Sequence, residues 1–470
     1  MRIWTARACW LLDGHAPPRR NVRLTVAGCR LAGVEPHDGG RVDVDYGDCV
    51  VAPGFVNAHT HLEFGGLTGP TPPLETPVPF AEWLRELIAA RRAAAGERTA
   101  ESLISERRAG VIAALDELVR SGVTTVGEIA RPDWPDQTIG GQPETLVFLE
   151  LLGLARARVE PLLSLATAHL DRAAVPLISY SHIAPSQSDL SQSGVSECVV
   201  SESGGANRHS LSIDGAIWPN LWRAGLSPHA PYTVHPELLV GACRLSSERQ
   251  VPLAMHLAES FEELELLRSH SGGLVETLRE FDAWDPTALP RGSTPGDYLR
   301  QLATAWRAVV VHGNFLDAAD WTFLGEARER MSVAYCPRTH ARFVSTPYPL
   351  TEMLAAGVRV VLGTDSRATN PDLDFLTELR WVALRYPDLD RIRLLRMATA
   401  DAAYALGLDD RGWLSAGKRA DFVVLRAATG CRTNPWEWLD DTSWTIAGVC
   451  LRGELGQVEQ KNDIFGSCPR

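Results

Sequence analysis

The sequence predicts an α/β fold, a (β/α)8 barrel carrying a small β-sandwich domain made from both chain ends. Three observations support this. From about residue 53 to 415, short apolar runs alternate with helical patterns, the rhythm of a parallel sheet with crossover helices. Polar residues stand at the ends of several of those runs. They are His59 and His61 after Phe55–Ala58, His256 and Glu259 after Val251–Met255, His312 after Ala308–Val311, and Asp365 after Val358–Thr364. In a parallel barrel such positions line the carboxyl-end mouth, where sites are built. Finally, residues 1–52 and 416–470 alternate apolar and polar side chains, as in Asn21–Val26 and Ala420–Leu425, and carry Gly/Asp turns. This pattern fits antiparallel strands from the two ends pairing into one small domain.

Eight runs are expected as barrel strands: Gly54–Ala58, Thr124–Glu128, Glu160–Leu165, Ala224–Pro228, Leu253–His256, Val309–His312, Ser332–Cys336 and Val358–Gly363. Helices are expected at Phe80–Ala94, Leu103–Ser121, Glu237–Arg249, Ser260–Ser269 and Asp374–Leu384. Residues 181–213 break the rhythm. They are rich in Ser, Gly and Gln, a composition that cannot bury a helix face, and read as a surface insertion in the 53–415 barrel.

Composition narrows the function. A formal net charge of -12 argues against nucleic acid or an anionic membrane as the main partner. The chain holds no run of about 20 uncharged apolar residues, so no membrane span is expected. Nine cysteines, none in a Cys-x-x-Cys pair, suit reduced thiols in the cytoplasm better than a disulfide framework. The expected partner is a small molecule, and a homodimer is left open.

On an extended segment, residues i and i+2 point the same way. His59 and His61 can therefore bind one cation from one side, although a lone His-x-His is a weak signal. The segments APGFVNAHTHLEF, MHLAES, VVVHGNF and VVLGTDSRATNPDLDFLTELR, in this order, resemble the signatures of the amidohydrolase superfamily. They are most similar to its cytosine deaminase/chlorohydrolase-like branch. The resemblance spans about residues 50 to 425, and AGKRADFVVL resembles the strand that returns to the small β domain. PHAPYT, HLAES and CPRTH are also similar to segments of aminodeoxyfutalosine deaminases.

The resemblance implies that His59, His61, His256 and Asp365 bind one divalent ion, zinc by preference or iron. Neutral imidazoles and a carboxylate suit such cations. Asp365 would also accept a proton from the water that the ion activates. Glu259 would protonate a substrate ring nitrogen and shuttle the proton onward. His312 would hydrogen-bond the attacking water or the developing oxyanion. Binuclear relatives commonly bridge two metals with a carboxylated lysine. Only Lys418 and Lys461 occur here, so the barrel has no such lysine and a mononuclear site is expected.

Substrate contacts are expected from His229, in the PHAPYT segment, from Glu63 toward a ring edge or a ribose hydroxyl, and from Arg338. The Arg338 fork could hold a carboxylate or phosphate, or simply pair with a neighbouring Asp. Many relatives carry Ser-Asn where this chain has Thr339-His340, which weakens the usual substrate assignment. The function expected is an aminohydrolase that releases ammonia from an aminated heterocycle, with an adenine-type nucleoside favoured. Hydrolysis of a cyclic amide or a carbon–halogen bond would use the same ligands. A non-catalytic scaffold would have lost them.

Overall fold

The computed structural model describes residues 2–71, 77–96, 98–132, 134, 142–173, 212–213, 216–217, 222–428 and 434–457. Its centre is a ring of eight parallel strands. In chain order they are β1 (Phe55–Thr60), β2 (Val123–Ala130), β3 (Glu144–Leu151), β4 (Trp222–Pro228), β5 (Pro252–Leu257), β6 (Arg307–His312), β7 (Met331–Tyr335) and β8 (Val360–Leu362). Each pairs in parallel with the next. The ring closes where the Asp365 N–H donates to the His59 carbonyl at 3.1 Å and the Thr60 hydroxyl donates to the Asp365 carbonyl at 2.7 Å. Gly363 makes this approach feasible: a Cβ there would sit 2.9 Å from the His59 carbonyl oxygen and 2.9 Å from its Cβ.

The strands are buried on both faces, which is why they read as continuous apolar runs rather than alternating ones. Val56, Ala58, Ile129, Leu146, Phe148, Ala254, Val309, Val311, Ala334 and Val361 fill the interior, and the helix Ala400–Ala405 packs into the same cluster with Leu406 and Leu408. The opposite faces, including Phe55, Val126, Val147, Val310 and Val333, pack under the helical layer.

One expected strand is wrong. Glu160–Leu165 lies inside the helix Val159–Ala173, and the third strand is Glu144–Leu151. The buried residues Val159, Leu162, Ala166, His169 and Leu170 recur at helical spacing, with Pro161 in the first turn where its missing N–H costs nothing. The five expected helices are found within a few residues of their predicted bounds. Of the expected insertion, residues 181–211 lie outside the described residues, and Ser212–Ile213 pairs antiparallel with Ala216–Ile217.

The chain ends share one mixed sheet. Ile3–Leu11, Arg19–Ala27 and Arg30–Pro36 form an antiparallel meander. Cys49–Pro53 joins it to Phe422–Arg426, Thr445–Leu451 and Glu454–Gln457. The expected sandwich is thus one continuous sheet folded over a common core, with Trp4, Leu24 and Val26 facing Phe422, Val424 and Cys450.

At the amino end of the barrel, Glu144 is ringed by arginines. Arg223 Nε lies 2.8 Å from one carboxylate oxygen and Arg411 Nη2 3.2 Å from the same oxygen, while Arg419 bonds the other. Arg419 Nε is also 3.0 Å from Asp421, so the network ties the return strand to the barrel floor. Burial alone would raise the Glu144 carboxyl pKa, but the charges of Arg411, Arg419 and Arg223 outweigh it and hold the pKa well below the ordinary range.

Candidate active site

Six expected residues converge at the carboxyl ends of β1, β5, β6 and β8. His61 Nε2 lies 3.3 Å from His256 Nε2. Asp365 Oδ1 lies 3.7 Å from His59 Nε2 and 3.8 Å from His61 Nε2. Donor atoms of His59, His61 and Asp365 all lie within 4.8 Å of one another, as do those of His59, His256 and His312. Ligands about 2.1 Å from a shared tetrahedral cation would stand about 3.4 Å apart, so this spacing suits a common ion.

The proton inventory fits a cation too. His256 Nδ1 lies 3.0 Å from the His229 carbonyl and must donate to it, which leaves Nε2 with a lone pair directed into the site. Both ring nitrogens of buried His59 lack a hydrogen-bond partner among the described residues. Orphaned buried nitrogens are costly, and a bound ion would satisfy one. Burial, reinforced by neighbouring imidazoles, holds the pKa values of His59 and His61 well below the usual histidine range. Burial also lowers that of His256, against an opposing pull from Asp365. The rings are therefore neutral, the form that ligates.

The backbone turns sharply here. Ala258, His312 and Asp365 have φ of 52°, 68° and 57°, a left-handed region that non-glycine residues seldom adopt without compensation. Hydrogen bonds hold each turn. Glu263 accepts the N–H groups of Ala258 and Glu259, both at 2.9 Å. Tyr348 donates its hydroxyl to the His312 carbonyl at 2.9 Å. Thr369 donates to Asp365 Oδ2 at 3.0 Å, which leaves Oδ1 toward the histidines. Asn314 donates to the Glu259 carbonyl at 2.8 Å.

Glu259 is buried with Oε1 3.3 Å from His312 Nε2. Burial, then the nearby charges of Asp365 and Glu263, raises its carboxyl pKa well above the ordinary range. A raised pKa favours the protonated form that a general acid needs.

The expected substrate contacts divide. His229 sits at the site: its ring centroid is 5.0 Å from that of His256, and its Nε2 is 4.0 Å from Glu150 Oε1. Glu63 faces a cleft with Arg107, Glu128, Arg131 and Trp134, but its carboxylate makes a two-point pair with Arg91, 3.1 Å on each side. The Arg338 guanidinium is taken up by Glu378 at 2.6 Å and Asp372 at 2.7 Å. These pairs neutralise a buried cation and leave the anion-holding role without support.

Glu150 carries no signal in the sequence, because the run expected as the third strand, Glu160–Leu165, belongs to the following helix and the strand itself is Glu144–Leu151. Glu263 did have a signal: Ser260-Phe261-Glu262-Glu263 has capping-box spacing, and Ser260 Oγ accepts the Glu263 N–H at 3.1 Å. Tyr348, Asn314 and Thr369 reach the site through loops, with no spacing to announce them.

Comparison with known proteins extends the likeness. The profile described as the amidohydrolase family matches residues 50–450. A 5-methylthioadenosine/S-adenosylhomocysteine deaminase of Pelotomaculum thermopropionicum is 29% identical over 428 residues, 88% of this chain and 82% of that protein. Its namesake from Syntrophobacter fumaroxidans is 30% identical over 393 residues, 81% and 73% of the two chains. Among solved structures, an adenosine deaminase from Xanthomonas campestris with bound zinc superposes with a TM-score of 0.71 at 21% identity, covering 97% of this chain and 92% of that one. The Helicobacter pylori aminofutalosine deaminase gives 0.72 at 18%, covering 97% and 100%. At these identities the structures speak for the fold alone.

Proposed function

The chain belongs to the amidohydrolase family, and from that premise we propose that it is a metal-dependent deaminase of an adenine-type nucleoside. The deaminase names of its relatives support the substrate class. The observation that carries the chemistry is the buried carboxyl of Glu259, whose Oε1 lies 3.3 Å from His312 Nε2 beside the ligand set and whose pKa is raised by burial.

His59, His61, His256 and Asp365 would hold one divalent ion, zinc by preference or iron, since three neutral imidazoles and one carboxylate suit borderline cations. Such an ion supplies hydroxide near neutral pH and stabilises developing negative charge. Everything else falls to the chain. Glu259 gives its carboxyl proton to the ring nitrogen beside the amino-bearing carbon, making that carbon electrophilic as water adds. Asp365 Oδ1 takes the proton that the adding water releases. His312 Nε2 faces the reacting oxygen and orients it. The amine then leaves with the proton that Asp365 gathered, and as the C–N bond breaks the added hydroxyl returns its remaining proton to Glu259 and becomes the carbonyl. Glu259, His312 and Asp365 are buried, so these proton transfers occur in a low-dielectric pocket. The free thiols of Cys29, Cys49, Cys243, Cys336 and Cys450 support a cytoplasmic setting.

The test is ammonia release by metal-loaded protein from adenosine, methylthioadenosine, S-adenosylhomocysteine and aminofutalosine. Turnover of at least one is expected. Full metal occupancy with no ammonia from any of them contradicts the proposal.

A further inference from the structure

Glu150 stands at the carboxyl end of β3, one strand from His229. It lies on the interior side of the barrel, two residues after Phe148, which packs in the interior cluster. Its side chain is mostly buried, and its Oε1 lies 4.0 Å from His229 Nε2, too far for a hydrogen bond. The pair therefore faces the site with unspent capacity.

Thr233 Oγ1 holds His229 Nδ1 at 2.7 Å and also contacts the Ala230 carbonyl at 3.2 Å. This fixes the ring and leaves Nε2 as the nitrogen that faces Glu150, free to donate or accept according to the tautomer. Burial and the field of Glu63 raise the Glu150 carboxyl pKa to about 7, so near neutrality it both donates and accepts.

We propose that Glu150 and His229 form the subsite for a hydroxyl-bearing sugar, with one hydroxyl oxygen seated between Glu150 Oε1 and His229 Nε2. Two atoms 4.0 Å apart can each stand about 2.8 Å from one oxygen and subtend roughly 90° there, close to the geometry a hydroxyl prefers. A hydroxyl donates to one and meets the other as donor or acceptor. An anionic substituent is disfavoured there, because it would face the Glu150 carboxyl in the field of Glu63. Glu63 is drawn into an ion pair with Arg91, so Glu150 is the better candidate for ribose recognition. The inference rests on the nucleoside reading above, but its test does not depend on turnover.

The test is equilibrium binding of inosine, the deaminated product, and of its dideoxy analogue lacking both ring hydroxyls, to the zinc-loaded protein. The wild type should prefer inosine by about thirtyfold, the worth of one or two hydrogen bonds to a buried polar pair. Glu150→Ala should lose that preference while binding the dideoxy analogue as the wild type does. Glu150→Gln, which keeps a donor and an acceptor, should retain it within about threefold. Unchanged dideoxy binding shows that each variant is folded. No preference in the wild type, preference retained in Glu150→Ala, or no binding of either ligand would overturn the proposal. Loss of deamination with the binding preference intact would overturn only the assigned reaction.

Discussion

The two ends of the barrel treat buried carboxylates in opposite ways. At the amino end, Glu144 is surrounded by Arg223, Arg411 and Arg419 and stays ionised well below the usual range. At the carboxyl end, no arginine among the described residues pairs with Glu259 or Glu150, and burial raises their pKa values. The first arrangement spends its charges on one another. The second leaves neutral imidazoles, an acid of raised pKa and the unpartnered nitrogens of His59 facing one space, over a backbone strained at Ala258, His312 and Asp365. The difference teaches how one fold separates stability from chemistry. Charges are cancelled where the small domain docks, and reactivity is stored where ligands enter.

That contrast can be broken or sharpened by substitution. The largest effect should come from Asp365→Ala, which removes a ligand and the proton acceptor together. Metal content by mass spectrometry should fall, and kcat should drop by at least about a thousandfold. Glu259→Gln should keep its metal and lose about a hundredfold to ten-thousandfold in kcat; metal retained with activity retained would remove Glu259 from the reaction. At the other end, Glu144→Ala should cost stability instead. About 3–5 kcal/mol in urea unfolding is expected, because three arginines lose their shared anion, with kcat per folded molecule unchanged.

The pH response should separate the ends most finely. The folded pKa of Glu144 is depressed, so its contribution is present above its unfolded value of about 4.5 and is lost as pH falls through the lower folded value. The folded pKa of Glu150 is raised to about 7. Its contribution is complete below about 4.5 and is lost as pH rises through 7, up to about 3 kcal/mol, less whatever solvent screening its partial exposure allows. Urea unfolding from pH 4 to 8 should show Glu150→Gln flattening the neutral limb, whereas Glu144→Gln lowers the stability that the wild type holds above about 4.5 and removes its loss on acidification.

Much of the carboxyl end was legible in the sequence. His59, His61, His256, Glu259, His312 and Asp365 each follow an apolar run that reads as a buried strand, so the barrel rule places them together. The third strand was missed because Leu162, Leu163 and Leu165 mimic a strand core, while their helical partners Ala166 and Leu170 lie further on. Glu150 went unseen with it. The amino end was illegible for another reason. Glu144, Arg223, Arg411 and Arg419 come from separate segments with no shared motif, and only the closed ring brings them into contact. Arg338 shows the same limit, since Asp372 and Glu378 lie 34 and 40 residues away along the chain.

The central claim is that four distant residues hold one cation, and metal stoichiometry measured alongside ammonia release tests it most directly. One equivalent of zinc or iron per chain, with activity lost on chelation and restored on adding the ion back, is the result expected. Two equivalents, or full ammonia release from metal-free protein, would contradict it.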